Sequence, residues 1–307
     1  MHSVIAPAAR QKLNYVKVSD PDVRLDRFPD FLIIGPQRTG TTWLHAQLRF
    51  HPEIQLSEPK ELFFFSRLKT PSHPKYQSNE LSWYLRFFRD PPWLFLAKTL
   101  ICLRRYRRLY RPRVRGEATA SYAAIDSDVI REIAVLNPDI KAVLMIRNPV
   151  DRAWSHAKKD LVRNRGRRFA DVGEAEFLDF FNDEYQRQCA HYVDHIERWS
   201  AELRDGHLFV GLFDDIDRRP EELLIDVMRF LGVDDDRRYL PADLRESVNP
   251  TAESRIPPAY RSHLEALFGD DMAALRQRFG IVWPIAPTSA VKSFVYHRAP
   301  ALTATVR

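Results

Sequence analysis

Phe31-Leu32-Ile33-Ile34-Gly35-Pro36-Gln37-Arg38-Thr39-Gly40-Thr41-Thr42-Trp43-Leu44-His45 is the stretch that decides the fold. Four consecutive apolar residues predict a buried strand, because a strand wetted on one face alternates apolar with polar. Gly35-Pro36 ends the strand, and Thr-Gly-Thr-Thr opens a helix. That helix should stop before His51-Pro52, since proline disfavours helix in the residue ahead of it. Strand, glycine loop and helix in that order make an anion cradle. The first amides of a helix lack partners, and its dipole is positive there. The Gly35 to Gly40 spacing is that of a nucleoside-triphosphate P-loop. Thr41, however, stands where that loop needs lysine, and the loop's cation is Arg38.

Working outward, Lys141–Arg147 and His207–Phe213 are two more continuous apolar runs and read as buried strands. Helical spacing occupies residues 128–137, 150–163, 174–203, 220–231 and 258–279. Alternating strands and helices predict an α/β fold: a P-loop-like, mostly parallel sheet flanked by helices on both faces, in a single domain. That domain should cover 29–285, with a polar N-terminal arm over 1–28 and a C-terminal tail over 286–307. Prolines 71, 74, 91, 92 and 112 break up the region after the first helix, which reads as a basic helical insertion at about 68–115.

The 307 residues are 45% hydrophobic, enough for a sizeable core. A net charge of +6 suits an anionic ligand and is too small to argue for nucleic acid. Cys102 and Cys189 form neither a disulfide framework nor a metal spacing, so a reduced cytoplasmic setting is expected and no metal site. No apolar run approaches the ~20 residues that a bilayer span needs. Between Lys98 and Arg115 the chain carries eight cations and no acid, preceded by Trp93, Leu94, Phe95 and Leu96. That pattern suits a peripheral helix on an anionic membrane surface, an anionic glycan, or a merely solvated charged face.

A second anion site is expected at the end of the second strand. Arg147 sits there, and Ser155 follows eight residues later in the next helix, a good pair for one phosphate. An Arg147–Asp151 ion pair is the plainer alternative. Asp214-Asp215, at the end of the third strand, keep a P-loop kinase-like phosphotransferase open. Two anion sites on neighbouring strand ends imply a nucleoside with phosphates at both ends, such as 3'-phosphoadenosine-5'-phosphosulfate (PAPS).

Pro36–Trp43 resembles the 5'-phosphosulfate loop of PAPS-dependent sulfotransferases, and Ile146–Ser155 resembles their 3'-phosphate segment. Ser57–Phe65 looks like the segment after the loop in bacterial and heparan-sulfate-type members. Gly116–Tyr122 is similar to their glutamate-bearing acceptor strand, although Ala118 and Ala120 replace a lysine and a proline found in many members. The resemblance implies in-line, metal-independent transfer of a sulfuryl group from PAPS to a hydroxyl or amine of a glycan, lipid or small metabolite, leaving 3',5'-ADP. It implies Glu61 as general base, Glu117 as the alternative base and Arg38 as the cation on the leaving phosphate. Cofactor contacts are expected from Arg38, Thr39, Gly40, Thr41, Thr42, Trp43, Arg147 and Ser155, with Tyr192 and Arg255 as further candidates.

Overall fold

The computed structural model describes residues 4–20, 22–241, 244 and 255–298. Six strands form one sheet: β1 (Phe31–Gly35), β2 (Ile54–Leu56), β3 (Val114–Ala118), β4 (Lys141–Ile146), β5 (Leu208–Leu212) and β6 (Phe294–Tyr296). Their order is β2-β3-β1-β4-β5-β6. The first five run parallel, and β6 joins the edge antiparallel to β5.

Successive side chains of a strand enter opposite faces, and here both faces are apolar. Leu32, Ile34, Leu144, Ile146, Val210 and Leu212 belong to one core layer. Phe31, Ile33, Val143, Met145 and Phe209 belong to the other. Helices Ser127–Leu136 and Tyr192–Glu202 cover the first layer, whereas Thr41–Leu48 and Pro220–Leu231 cover the second. The mostly parallel sheet with helices on both faces is therefore the expected one, and its buried strands are the apolar runs that announced it.

Described residues on both sides of the expected domain also belong to this body. Ile5, Val16, Val23 and Phe28 are buried in the first layer. The buried Glu132 carboxylate accepts the amides of Asn14, Tyr15 and Val16 at 2.6, 2.9 and 2.9 Å. Beyond residue 286, Phe294–Tyr296 supplies the sixth strand. Neither contribution shows in the local sequence, because each is made by partners over a hundred or some eighty residues away.

β1 lies between β3 and β4, so the chain leaves it towards one edge and later crosses to the other. Ligands of open α/β sheets bind at the carboxyl ends of strands beside such a reversal. Among the described residues, no helix is long and apolar enough to cross a membrane.

Candidate active site

Packing and backbone geometry both dictate the loop's glycines. Gly35 has φ +94°, and a Cβ there would sit 2.0 Å from the Ala120 carbonyl oxygen. Gly40 has φ +96° and caps the following helix, and its Cβ would lie 2.5 Å from Ile216 Cδ1. Between them the Thr39 hydroxyl donates to Pro36 O at 2.6 Å, closing the turn. The first amide bonded back into the helix is that of Leu44, to Gly40 O at 3.0 Å. The amides of Thr41, Thr42 and Trp43 therefore have no acceptor within the helix.

Three elements converge on this loop. Arg38 Nε donates to Ser155 Oγ at 2.9 Å, joining the loop to helix Pro149–Ala157. Arg147, just past β4, donates to Arg38 O at 3.2 Å and lies 4.1 Å over the Phe213 ring. Asp151 pairs instead with Arg261 at 3.7 Å. Burial depresses the pKa of Arg38, and the neighbouring charges of Arg147 and Arg163 depress it further. The pKa of Arg147 is lowered chiefly by burial. Like charges this close oppose one another until an anion comes between them.

Two further cations join this group, Lys159 and Lys60, and the sequence assigned neither of them a part in anion binding. Lys159 lies in a π-helical turn, Lys158–Arg163, that continues helix Pro149–Ala157. Such turns often occur at functional sites. Burial lowers its pKa, with Asp160, Arg38, Glu61 and Lys60 as its charged neighbours. An uninterrupted helix was expected through this stretch, so the π-helical turn had no signal in the sequence. Lys60 pairs with Glu61.

The two glutamates occupy different surroundings. Glu61 has φ +65°, a conformation that costs a non-glycine residue about 1 kcal/mol or more. Its amide donates to Ala118 O at 2.9 Å, and its carboxylate accepts from the Ala120 amide at 3.0 Å and from Lys60. Its side chain is partly exposed, at 25%. The neighbouring Phe64 and Phe65 point into the core rather than around the carboxylate. Glu117 is fully buried on β3. Its carboxylate accepts the hydroxyls of Tyr84, Tyr122 (3.1 Å) and Thr119 (2.9 Å). Burial raises its pKa to about 7 against the pull of those three donors. Thr119 Oγ1 in turn accepts the Leu62 amide at 3.0 Å. Glu117 thus tethers the segment bearing Glu61 without reaching solvent.

The remaining sequence candidates differ in their surroundings. Thr39 and Thr41 are buried, and Thr42 is half-buried. Trp43 packs in the second core layer and donates its indole N–H to Leu244 O at 3.0 Å. Tyr192 is fully buried under the end of β4, its hydroxyl near the Arg147 main chain. Arg255 is exposed. Buried beside the loop, His45 is held down to about 4 by desolvation and the charge of Lys60. Asp215 is fully buried, accepting from the amide and hydroxyl of Ser293 at 2.8 and 2.7 Å, and Asp214 accepts from the Trp283 indole at 3.0 Å. The acids that kept a kinase-like reading open are therefore committed to holding the segment before β6.

Fold and site together define the class: an α/β protein with a P-loop-like glycine loop at the switch point of a mostly parallel sheet. The sulfotransferase domain model matches residues 28–253, and the chain belongs to that family. It is 28% identical over 217 residues to the human bifunctional heparan sulfate N-deacetylase/N-sulfotransferase 2. It is 30% identical over 219 residues to enzyme 1 of the same name from Xenopus laevis. Each match covers 68% of this chain and 22% of the relative, so the chain spans about a fifth of these relatives' length. The crystal structure of a sulfotransferase from Alicyclobacillus acidocaldarius superposes with a TM-score of 0.56 at 25% identity, covering 83% of this chain and 96% of that one. Family membership disfavours the kinase-like alternative.

Proposed function

We propose that the protein moves a sulfuryl group from PAPS to an amine or hydroxyl of a carbohydrate acceptor. The observation that carries this reading is the gathering of Arg38, Arg147, Ser155 and Lys159 around free helix amides at the end of β1 and β4. Such a donor set fits a ligand with separate 5' and 3' phosphates. The carbohydrate acceptor is inferred from the relatives, which are named for N-sulfation of heparan sulfate.

The donor supplies a sulfur centre whose bond to a phosphate oxygen breaks as the acceptor's bond to sulfur forms. The protein's part is positioning and charge stabilisation. The amides of Thr41, Thr42 and Trp43 hold the 5'-phosphate. Arg38 and Lys159 stabilise the negative charge gathering on its departing oxygen. Arg147 and Ser155 hold the 3'-phosphate, which requires Ser155 to exchange its present bond with Arg38. Glu61 takes the acceptor's proton, since its carboxylate is partly open to solvent and borders Lys60 and Lys159. Glu117 is a positioning residue: through Thr119 it fixes the Leu62 amide next to Glu61.

The test is thermal stabilisation by 3',5'-ADP compared with ATP, both without magnesium. A larger rise of the melting midpoint with 3',5'-ADP is expected. Equal shifts by the two nucleotides contradict the assignment of separate 5' and 3' sites.

A further inference from the structure

We propose that helix Pro92–Tyr106 and the arginine-rich turn after it form a docking face for an anionic lipid surface. The helix meets the body through Lys98, Cys102 and Tyr106, four residues apart along one side. Lys98 is anchored there by Asp90 at 2.9 Å. Trp93, Leu96, Leu100 and Leu103, spaced three or four residues apart, form a stripe on a different side of the helix. They are 69, 58, 58 and 39% exposed. Leu109, in the turn beyond the helix, extends the patch at 63%, whereas Phe95 lies on the body side of the helix with its ring against Tyr110. The stripe and Leu109, five residues, make up most of the nine large exposed apolar side chains among the described residues, so the apolar surface is concentrated rather than scattered.

Charge specifies the occupant. Arg104, Arg105, Arg107 and Arg111 are exposed and have no carboxylate partner among the described residues. Arg108 and Arg113 are partly offset by Asp234 and Glu53. Beside the stripe, Arg108, Leu109, Arg111, Arg113, Pro52 and Glu53 line an open depression of about 530 Å³, roomy enough for a phospholipid headgroup. A bilayer satisfies both halves: acyl chains take the tryptophan and leucines, and anionic headgroups take the arginines. An anionic glycan would satisfy only the arginines. A second copy docked by two-fold symmetry would set the arginine clusters against each other.

The helix lies on such a surface rather than crossing it. Its 15 residues reach roughly 22 Å at 1.5 Å each, short of the ~30 Å hydrocarbon core. The amides of Arg111 and Arg113 donate to Pro52 O and Glu53 O, both at 2.8 Å, which fixes the turn at the start of β2 and β3. The phosphate loop sits at the opposite, carboxyl end of the sheet. A docked molecule therefore keeps its active-site mouth away from the lipid.

Co-sedimentation with vesicles of phosphatidylcholine, with and without phosphatidylserine, tests this. The wild type should pellet with the anionic vesicles only, and less so as salt rises. Arg104→Ala/Arg105→Ala should weaken binding roughly fivefold per arginine. Leu96→Glu/Leu100→Glu should abolish it while leaving the far-ultraviolet spectrum and urea midpoint unchanged, because both side chains face solvent. Brominated acyl chains should quench tryptophan fluorescence in the wild type and not in Trp93→Phe. Three results overturn the proposal. One is no pelleting of the wild type with anionic vesicles at low salt. Another is wild-type binding by the double-glutamate variant. The third is self-association, seen by light scattering and lost in that variant, which would assign the face to a second copy.

Discussion

Replacing Glu117 by glutamine should remove a pH dependence of stability that this single carboxyl creates. Burial holds the folded carboxyl at about 7, against an ordinary value of 4.5. The folded protein thus binds this proton more tightly than the unfolded chain does. The resulting stabilisation is complete below pH 4.5 and is lost as the pH rises through 7. The gap of 2.5 corresponds to about 3 kcal/mol, without discount for solvent because the group is fully enclosed. Glutamine keeps an acceptor for Tyr84 and Tyr122 and cannot ionise, so its stability should lack this slope. Urea unfolding of both proteins between pH 4.5 and about pH 8 provides the comparison. The wild type should lose about 3 kcal/mol relative to Glu117→Gln over that range. His45, His51, His156 and His195, all held down by burial, titrate in both proteins and cancel in the difference. Parallel stability curves would refute the reasoning, showing that the three hydroxyls stabilise the charged form as fully as burial opposes it.

Three other substitutions probe the phosphate cradle. Arg147→Ala should reduce the thermal stabilisation given by 3',5'-ADP, with an affinity loss of about 1.5–3 kcal/mol for one charge-assisted bond, read by titration calorimetry. Arg38→Ala should lower turnover ~10²–10³-fold with a smaller effect on nucleotide affinity, because its partner charge grows in the transition state. Steady-state and binding measurements together separate the two effects. Gly35→Ala should destabilise by about 2–4 kcal/mol in urea unfolding, since the added carbon meets Ala120 O at 2.0 Å and φ is +94°.

The sequence made the centre of the fold legible and left the periphery hidden. β1, β4 and β5 are buried on both faces and so are written as unbroken apolar runs. β3 is Val-Arg-Gly-Glu-Ala, a poor strand by composition. It is a strand because β1 and β2 pair with it and because Glu117 finds three hydroxyls there. β2 and β6 are three residues each, too short for any period to register. In the site, the loop, Arg38, Arg147 and Ser155 were legible because their spacing is local to two strand–helix junctions. Lys159 was not, because it lies in a π-helical turn that nothing in Lys-Lys-Asp-Leu-Val-Arg announces. Phe64 and Phe65, close to Glu61 in the sequence, build no apolar wall around its carboxylate. Phe64 and Phe65 are drawn into the core by Tyr84 and Phe28, and Glu61 meets Lys60 and a backbone amide instead.

Transfer of labelled sulfur from PAPS to an N-desulfated heparan-type oligosaccharide, measured for the wild type and Glu61→Gln alongside release of 3',5'-ADP, tests the proposed reaction most directly. Labelled product and 3',5'-ADP should appear in equal amounts with the wild type. The variant should bind 3',5'-ADP normally and turn over ~10²–10⁴-fold more slowly, the usual worth of general-base assistance. Wild-type rates in Glu61→Gln would contradict the assigned base. No transfer by a wild type that binds ATP as tightly as 3',5'-ADP would contradict the reaction itself.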